Sequence, residues 1–307
     1  MFRLAHISDI HLGPLPDLSY RELASKRITG YVNWKRNRKH LLNPGVTEAL
    51  MAGLAQADPD HLAVTGDLVN LALDAEIELA REWLTALGRP HDVSVVPGNH
   101  DAYVPGALAK SCRAWRPWIT GEKTGVGLSE YGFPYLRVRG DVALIGVSSA
   151  RATGPFMALG HFGATQAARL GHLLRLAEQR GLFRVIMIHH PPVRGATSAH
   201  KRLYGIGLFQ RIVRRHGVEL VLHGHTHLPT LHHIPARDGP APVVGVTSAS
   251  QGLGGKKPAA QFNLFEIAGR PGAWTLDLTR KGVAGAALAL REVERTTLLR
   301  PLQPAAK

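Results

Sequence analysis

Over the first hundred residues, short apolar runs alternate with segments of helical periodicity. Phe2 to Ser8 reads as a strand, and Pro44 opens a helix with Val46, Leu50 and Leu54 at helical spacing. His61-Leu62-Ala63-Val64 is a second apolar run. Asp74 to Leu87 repeats the helical pattern, with Ile77, Leu79, Ala80, Trp83, Leu84 and Leu87 on an apolar side and Gly88 closing it. His91 to Val96 reads as a third strand, so the order β-α-β-α predicts an α/β architecture with parallel pairing in this half. The stretch from Tyr103 to Tyr131 has no clear period. Tyr135 to Arg139 and Val142 to Val147, joined by Gly140-Asp141, predict an antiparallel hairpin. Helices over Thr165–Arg180 and Leu203–His216 are followed by strands Arg184–Ile188 and Val218–Leu222. Four short strands are expected near residues 230–234, 242–246, 262–267 and 274–278.

Two segments break this rhythm. The first runs from about residue 14 to 43, too long for a βα connection, which usually takes about 2–6 residues. It reads as a basic insert, helical over Tyr20–Ile28 and again over Tyr31–Leu41. Arg21, Lys26, Arg27, Lys35, Arg36, Arg38 and Lys39 face a single acid, Glu22, with Tyr20, Tyr31 and Trp34 interleaved. The second is residues 281–307, an Ala-rich basic stretch expected to be a loosely held tail. With no internal repeat or linker, one domain over residues 1–280 is expected.

Composition narrows the classes. At 307 residues and 45% hydrophobic content the chain can bury a core without staples, and its one cysteine, Cys112, excludes an intramolecular disulfide or thiolate cluster. No run reaches the ~18 apolar residues of a membrane span, and the first strand leaves no room for a leader peptide, so a cytoplasmic location is expected. A formal charge of +14 favours an anionic partner.

The 17 histidines cluster in motifs. Asp9-Ile10-His11, Gly66-Asp67, Gly98-Asn99-His100-Asp101, His189-His190-Pro191-Pro192 and Gly224-His225-Thr226-His227 each follow an apolar, strand-like run. Asp9, His11, Asp67, Asn99, His189, His225 and His227 offer three oxygen donors and four imidazoles, a set suited to Mn, Fe, Zn or Co rather than Ca. Asp9 and His11, like His225 and His227, are one residue apart, and extended backbone would turn both members of each pair to one side. Asp67 is the carboxylate on which all could converge.

Five motifs in this order resemble the calcineurin-like metallophosphoesterase superfamily, over Asp9 to His227. The resemblance implies a four-layer αββα sandwich of two mixed β-sheets flanked by helices. It implies two divalent metal ions, one held by Asp9, His11, Asp67 and His227, the other by Asp67, Asn99, His189 and His225. A metal-bridging hydroxide would then attack a phosphate ester. It further implies that His100 acts at the leaving oxygen as transition-state stabiliser or general acid, and that Asp101 orients a neighbouring ligand or His100. By the family pattern His189, not His190, is the ligand, while His223 is expected to be a packed core residue.

Within the superfamily the spacing and length look most like bacterial class III cyclic nucleotide phosphodiesterases and their broad-specificity relatives. A lipid-linked nucleotide pyrophosphatase similar to the UDP-2,3-diacylglucosamine hydrolases is the alternative that a basic, amphipathic insert would suit, though that group usually has Arg where this chain has His100. A nuclease is favoured by the charge and opposed by the lack of a His-x-Arg element at His189. A scaffold that has lost its ligands is disfavoured, because all seven are present. The expected partner is a phosphate-ester substrate. Anionic lipid or nucleic acid at the insert, and a homo-oligomer, stay open.

Overall fold

The computed structural model describes residues 1–300 except 17, 20–22, 24, 36–43 and 126–130. From the N-terminus, β1 (Phe2–Ile7) leads through α1 (Arg27–Asn33) and α2 (Pro44–Gln56) to β2 (His61–Val64). Then α3 (Asp74–Leu87) leads to β3 (Val93–Val95). Two short helices, α4 (Ala107–Ala114) and α5 (Arg116–Ile119), occupy part of the stretch that has no sequence period. The expected hairpin follows as β4 (Tyr135–Arg139) and β5 (Val142–Gly146). Next come β6 (Gly160–His161), α6 (Ala164–Gln179), β7 (Phe183–Met187), β8 (Leu203–Tyr204), α7 (Ile206–His216) and β9 (Leu220–His223). The chain continues through β10 (Leu231–Ala236), β11 (Gly239–Gly245), β12 (Gln261–Ala268), β13 (Thr275–Ala284) and β14 (Ala289–Leu299).

Twelve of these strands make two mixed six-stranded sheets, ordered β14-β13-β12-β1-β2-β3 and β10-β11-β9-β7-β5-β4, and β6 and β8 pair with each other. The pairs β1–β2 and β2–β3 are parallel, as the alternation of elements predicts. The second sheet is parallel across β5, β7, β9 and β11. Its strands read as nearly continuous apolar runs because each has two faces to bury. In β7, Val185 and Met187 join the core shared with the first sheet, while Ile186 packs with Leu170, Leu174, Phe209 and Val213 of α6 and α7. The first sheet's outer face is covered by α2 and α3 through Val46, Leu50, Ile77 and Leu84. Helix, sheet, sheet and helix therefore stack in four layers.

The C-terminal segment differs from its expectation. A boundary at residue 280 would cut β13 in half, and β14 pairs antiparallel with β13 from Ala284↔Ala289 to Leu276↔Leu299. The Ala-rich, basic composition that suggested a tail belongs in part to an edge strand, mostly exposed and studded with Arg291, Glu292, Glu294 and Arg295. The hairpin is also tied inward. Arg280, 1% exposed, lies 2.9 Å from Glu294 and donates to the carbonyls of Gly245 and Thr230, binding this hairpin to the other sheet.

The insert differs too. Its helix spans Arg27–Asn33, across the break expected between Ile28 and Tyr31. Tertiary packing decides this: a Cβ at Gly30 would overlap the Tyr103 hydroxyl, so only glycine lets α1 lie this close. Tyr20, Arg21, Glu22, Arg36, Arg38 and Lys39 lie outside the described residues. No described helix is long and apolar enough to cross a membrane.

Candidate metal centre

The strands deliver the motif residues just beyond their C-terminal ends. Asp9 follows β1, Asp67 follows β2 and Asn99 follows β3 in one sheet, while His189 follows β7 and His225 follows β9 in the other. The two sheet edges meet here, joined by an isolated bridge between Ser8 and Ser248. Gly66 and Gly98 allow the meeting: Gly66 has φ +96, and a Cβ there would stand 2.5 Å from the Gly98 amide nitrogen.

The other six sequence-predicted ligands converge around Asp67. His189 Nε2 lies 3.3 Å from Asp67 Oδ2 and 3.2 Å from Asn99 Oδ1. His11 Nε2 lies 4.0 Å from Asp67 Oδ2 and 3.9 Å from Asp9 Oδ1, and His227 Nε2 lies 3.1 Å from the same Asp9 oxygen. The His225 ring stands 5.1 Å from that of His189, centroid to centroid. Hence Asp9, His11 and His227 form one group, His189, Asn99 and His225 another, with Asp67 between them.

The backbone that does this is not extended. Asp9, His11, Asp67, His225 and His227 all have positive φ, between 46° and 66°, so the expectation that alternation along a strand aims each pair is wrong. Left-handed turns past the strand ends aim them instead, a conformation that costs a side-chain-bearing residue about 1–3 kcal/mol. Three imidazoles are fixed from behind. The Nδ1 atoms of His11 and His189 bond the carbonyls of Val69 (3.1 Å) and Thr65 (2.7 Å), and His225 Nε2 bonds that of Lys201 (2.9 Å). Each keeps its other nitrogen for the cluster.

Asp101 is fully buried, and its oxygens accept from the amides of Asp67, Leu68, Val69 and Gly98. Burial first, then the Asp67 charge, pushes it up to about 7, while the amides favour its ionised form. It holds the Asp67 turn and touches no open space. His100 is half-buried; its amide donates to Asp67 Oδ1 (2.7 Å) and its Nδ1 to the Asn70 carbonyl (2.5 Å).

The donor set fits two divalent ions. Against the cost of burial, His189 and His100 hold Asp67 well below the usual carboxylate range, and His227 does the same for Asp9. Asp67 in turn lifts His189 to about 9 although burial opposes it. A buried site that keeps two carboxylates ionised and draws a proton onto an imidazole is built to hold positive charge.

His190 has both ring nitrogens engaged, Nδ1 with Ser149 Oγ at 2.8 Å and Nε2 with the Ala158 carbonyl at 3.2 Å, although its ring also falls in one group with His189 and His225. His223 is buried between Gly224 O and Thr230 Oγ1, as a core residue. Sequence reasoning missed three supports. Asn70 carries the carbonyl behind His100. Tyr103 stacks on the His100 ring at 5.4 Å. Ser248 Oγ donates to the Asp9 carbonyl at 2.6 Å. Asn70 and Tyr103 each lie within three residues of a motif, whereas Ser248 carries no local signal.

The family model described as calcineurin-like phosphoesterase matches residues 2–229. A protein named a probable cyclic nucleotide phosphodiesterase, from Synechococcus sp. (strain WH7803), is 29% identical over 248 residues, covering 74% of this chain and 75% of that one. A second, with the same description and from another Synechococcus strain, is 27% identical over 230 residues, covering 73% and 72%. Among solved structures, a dimetal phosphatase from Danio rerio superposes with TM-score 0.61 at 14% identity, covering 96% of this chain and 98% of that one. A purple acid phosphatase from yellow lupin seeds gives 0.53 at 13% identity, over 92% of this chain and 51% of that one. At such identity these two structures speak for the fold alone.

Proposed function

The chain belongs to the calcineurin-like phosphoesterase family, and on that premise we propose that it is a binuclear metal-dependent phosphodiesterase acting on cyclic nucleotides or similar diesters. The observation that carries this reading is the convergence of the six other donors on Asp67, with one group of donors to each side. The two relatives named as probable cyclic nucleotide phosphodiesterases support the substrate class.

In this reading Asp9, His11, Asp67 and His227 hold one ion, and Asp67, Asn99, His189 and His225 hold the other. Two such ions supply Lewis acidity to the phosphoryl oxygens and make a water acidic enough to serve as nucleophile at neutral pH. The chain's own residues do the rest. Asp67 joins the two halves, and Asp101 keeps it in place through the backbone. His100 is the group at the leaving oxygen. With Nδ1 bonded to the Asn70 carbonyl, it has Nε2 to deliver a proton, and that carbonyl stabilises the charged ring.

Metal analysis of the purified protein tests this directly. About two transition-metal ions per chain are expected, with Mn-supported turnover of cyclic nucleotides that a chelator abolishes. Asp67→Ala is expected to lose both ions, and His227→Ala to weaken mainly one. Full metal content and full turnover in Asp67→Ala would overturn the assignment.

A further inference from the structure

Phe156 is 82% exposed, the barest aromatic ring among the described residues, and its backbone is in a conformation that phenylalanine rarely takes. It is the second central residue of a turn, Gly154-Pro155-Phe156-Met157, closed by the Met157 amide on the Gly154 carbonyl at 3.3 Å. Its φ of 61° is what glycine or asparagine ordinarily supplies after a turn proline. An exposed ring gains little from burial, so the fold does not explain why a strained turn position holds phenylalanine.

Its location does. Lys26 of the insert donates to Thr153 Oγ1 (2.8 Å) and to the Met157 carbonyl (2.9 Å), and its Nζ lies 4.5 Å from the centre of the Tyr103 ring. Tyr103 stacks on His100, so one side of the loop is pinned to the flank where the leaving group departs. On the other side the Ala158 carbonyl bonds His190 Nε2, and the His190 ring stands 4.3 Å from that of His225. Phe156 thus sits on a short loop tied to both flanks of the metal centre, next to a cation.

We propose that Phe156 is the platform on which the base of a nucleotide substrate stacks, with Lys26 holding the loop and the insert together beneath it. This rests on the diesterase reading above and adds to it the part of the substrate that is recognised. An aromatic ring serves any base, because every base presents a π face, so the site selects nucleotides over base-free phosphates without choosing strongly among bases. Lys26 is a positioning residue here, acting through the loop.

Equilibrium binding of adenosine 5′-monophosphate, compared with ribose 5-phosphate, tests the proposal independently of turnover. Phe156→Ala is expected to weaken the nucleotide about tenfold and leave ribose 5-phosphate unchanged, while Phe156→Trp retains nucleotide affinity. Lys26→Met is expected to weaken the nucleotide selectively and Lys26→Arg to restore part of the loss. In turnover, Phe156→Ala should raise KM for 3′,5′-cyclic AMP and not for the base-free cyclic ribose phosphate. The ring is exposed, so these variants fold. If wild-type enzyme turns over neither cyclic substrate, the diesterase reading fails while the binding comparison still decides the role of Phe156. Equal effects on both ligands, or none on either, overturn the proposal. It is also overturned if Phe156→Ala abolishes sedimentation with phosphatidylglycerol vesicles while nucleotide binding is unchanged, since the ring would then face a membrane.

Discussion

Asp9, His11, Asp67, His225 and His227 share left-handed backbone, and this strain is concentrated where function would use it. The surrounding contacts hold it: four amides on Asp101 fix the Asp67 turn, and Ser248 bonds the Asp9 carbonyl. His100 adjoins this group, its ring 4.8 Å from that of His11, but it is bonded through Nδ1 to Asn70 and stacked on Tyr103. A ligand and a proton donor therefore make different predictions. His100→Ala is expected to keep both ions and to lose about 10²–10⁴-fold in kcat on diesters with alkyl leaving groups. Activated aryl diesters, whose leaving oxygen needs no proton, should lose much less. Equal losses on both would make His100 a stabiliser of phosphoryl charge, and loss of metal would remove it from the leaving-group role.

At the level of elements, the β13–β14 hairpin carries more of the structure than its sequence suggests. Arg280 reaches from it to Gly245 of β11 and to Thr230, and so ties the two sheets near the edge where the metal centre lies. Arg280→Met would strip two carbonyls of a charged donor and leave Glu294, itself partly exposed, to water. A loss of about 1–3 kcal/mol in unfolding free energy is expected, with metal content retained, and urea titration beside metal analysis checks it. The same hairpin shows what the sequence could and could not disclose. Strands such as β5 and β7 were legible because both faces are apolar, and the clustered donors because each follows such a run. The edge strand β14 was not, since one exposed face and a row of charges look like a solvated tail until its pairing with β13 is known. The break expected between Ile28 and Tyr31 is absent because Gly30 packs helically against Tyr103, seventy-three residues away in the chain, and that contact has no local pattern. The clustering of these donors was legible, but the reason they point inward was not, because left-handed turns past a strand end leave no period to read.

For the whole molecule, the basic surface and the buried histidines act together as pH falls. The formal charge is already +14 with histidines neutral, and several of the 17 are buried in forms that resist protonation. Burial pushes His61 down to about 3, with Arg139 and Arg137 adding to the effect, and pushes His223 down to about 4. In the unfolded chain these rings take up protons near the ordinary value of about 6.5. The sign follows from linkage: the unfolded state binds protons first, so the contribution of a neutral buried ring is complete above that value and is lost as pH falls through the window toward the folded value. Each such ring contributes about 1.4 kcal/mol per pH unit inside its window. His61 isolates the effect from the metal centre. It opens β2 opposite Leu4, whereas Asp67 lies beyond the other end of that strand, and its Nε2 meets Ser94 Oγ at 2.8 Å. His61→Gln, which can keep a hydrogen bond to Ser94, is expected to fold with similar stability at pH 7.5. Between pH 6 and 4.5 it should lose stability less steeply than the parent, by about 1.4 kcal/mol per pH unit. Urea unfolding at stepped pH gives both slopes; parallel curves would mean that His61 takes up its proton in the folded protein as readily as in the unfolded chain.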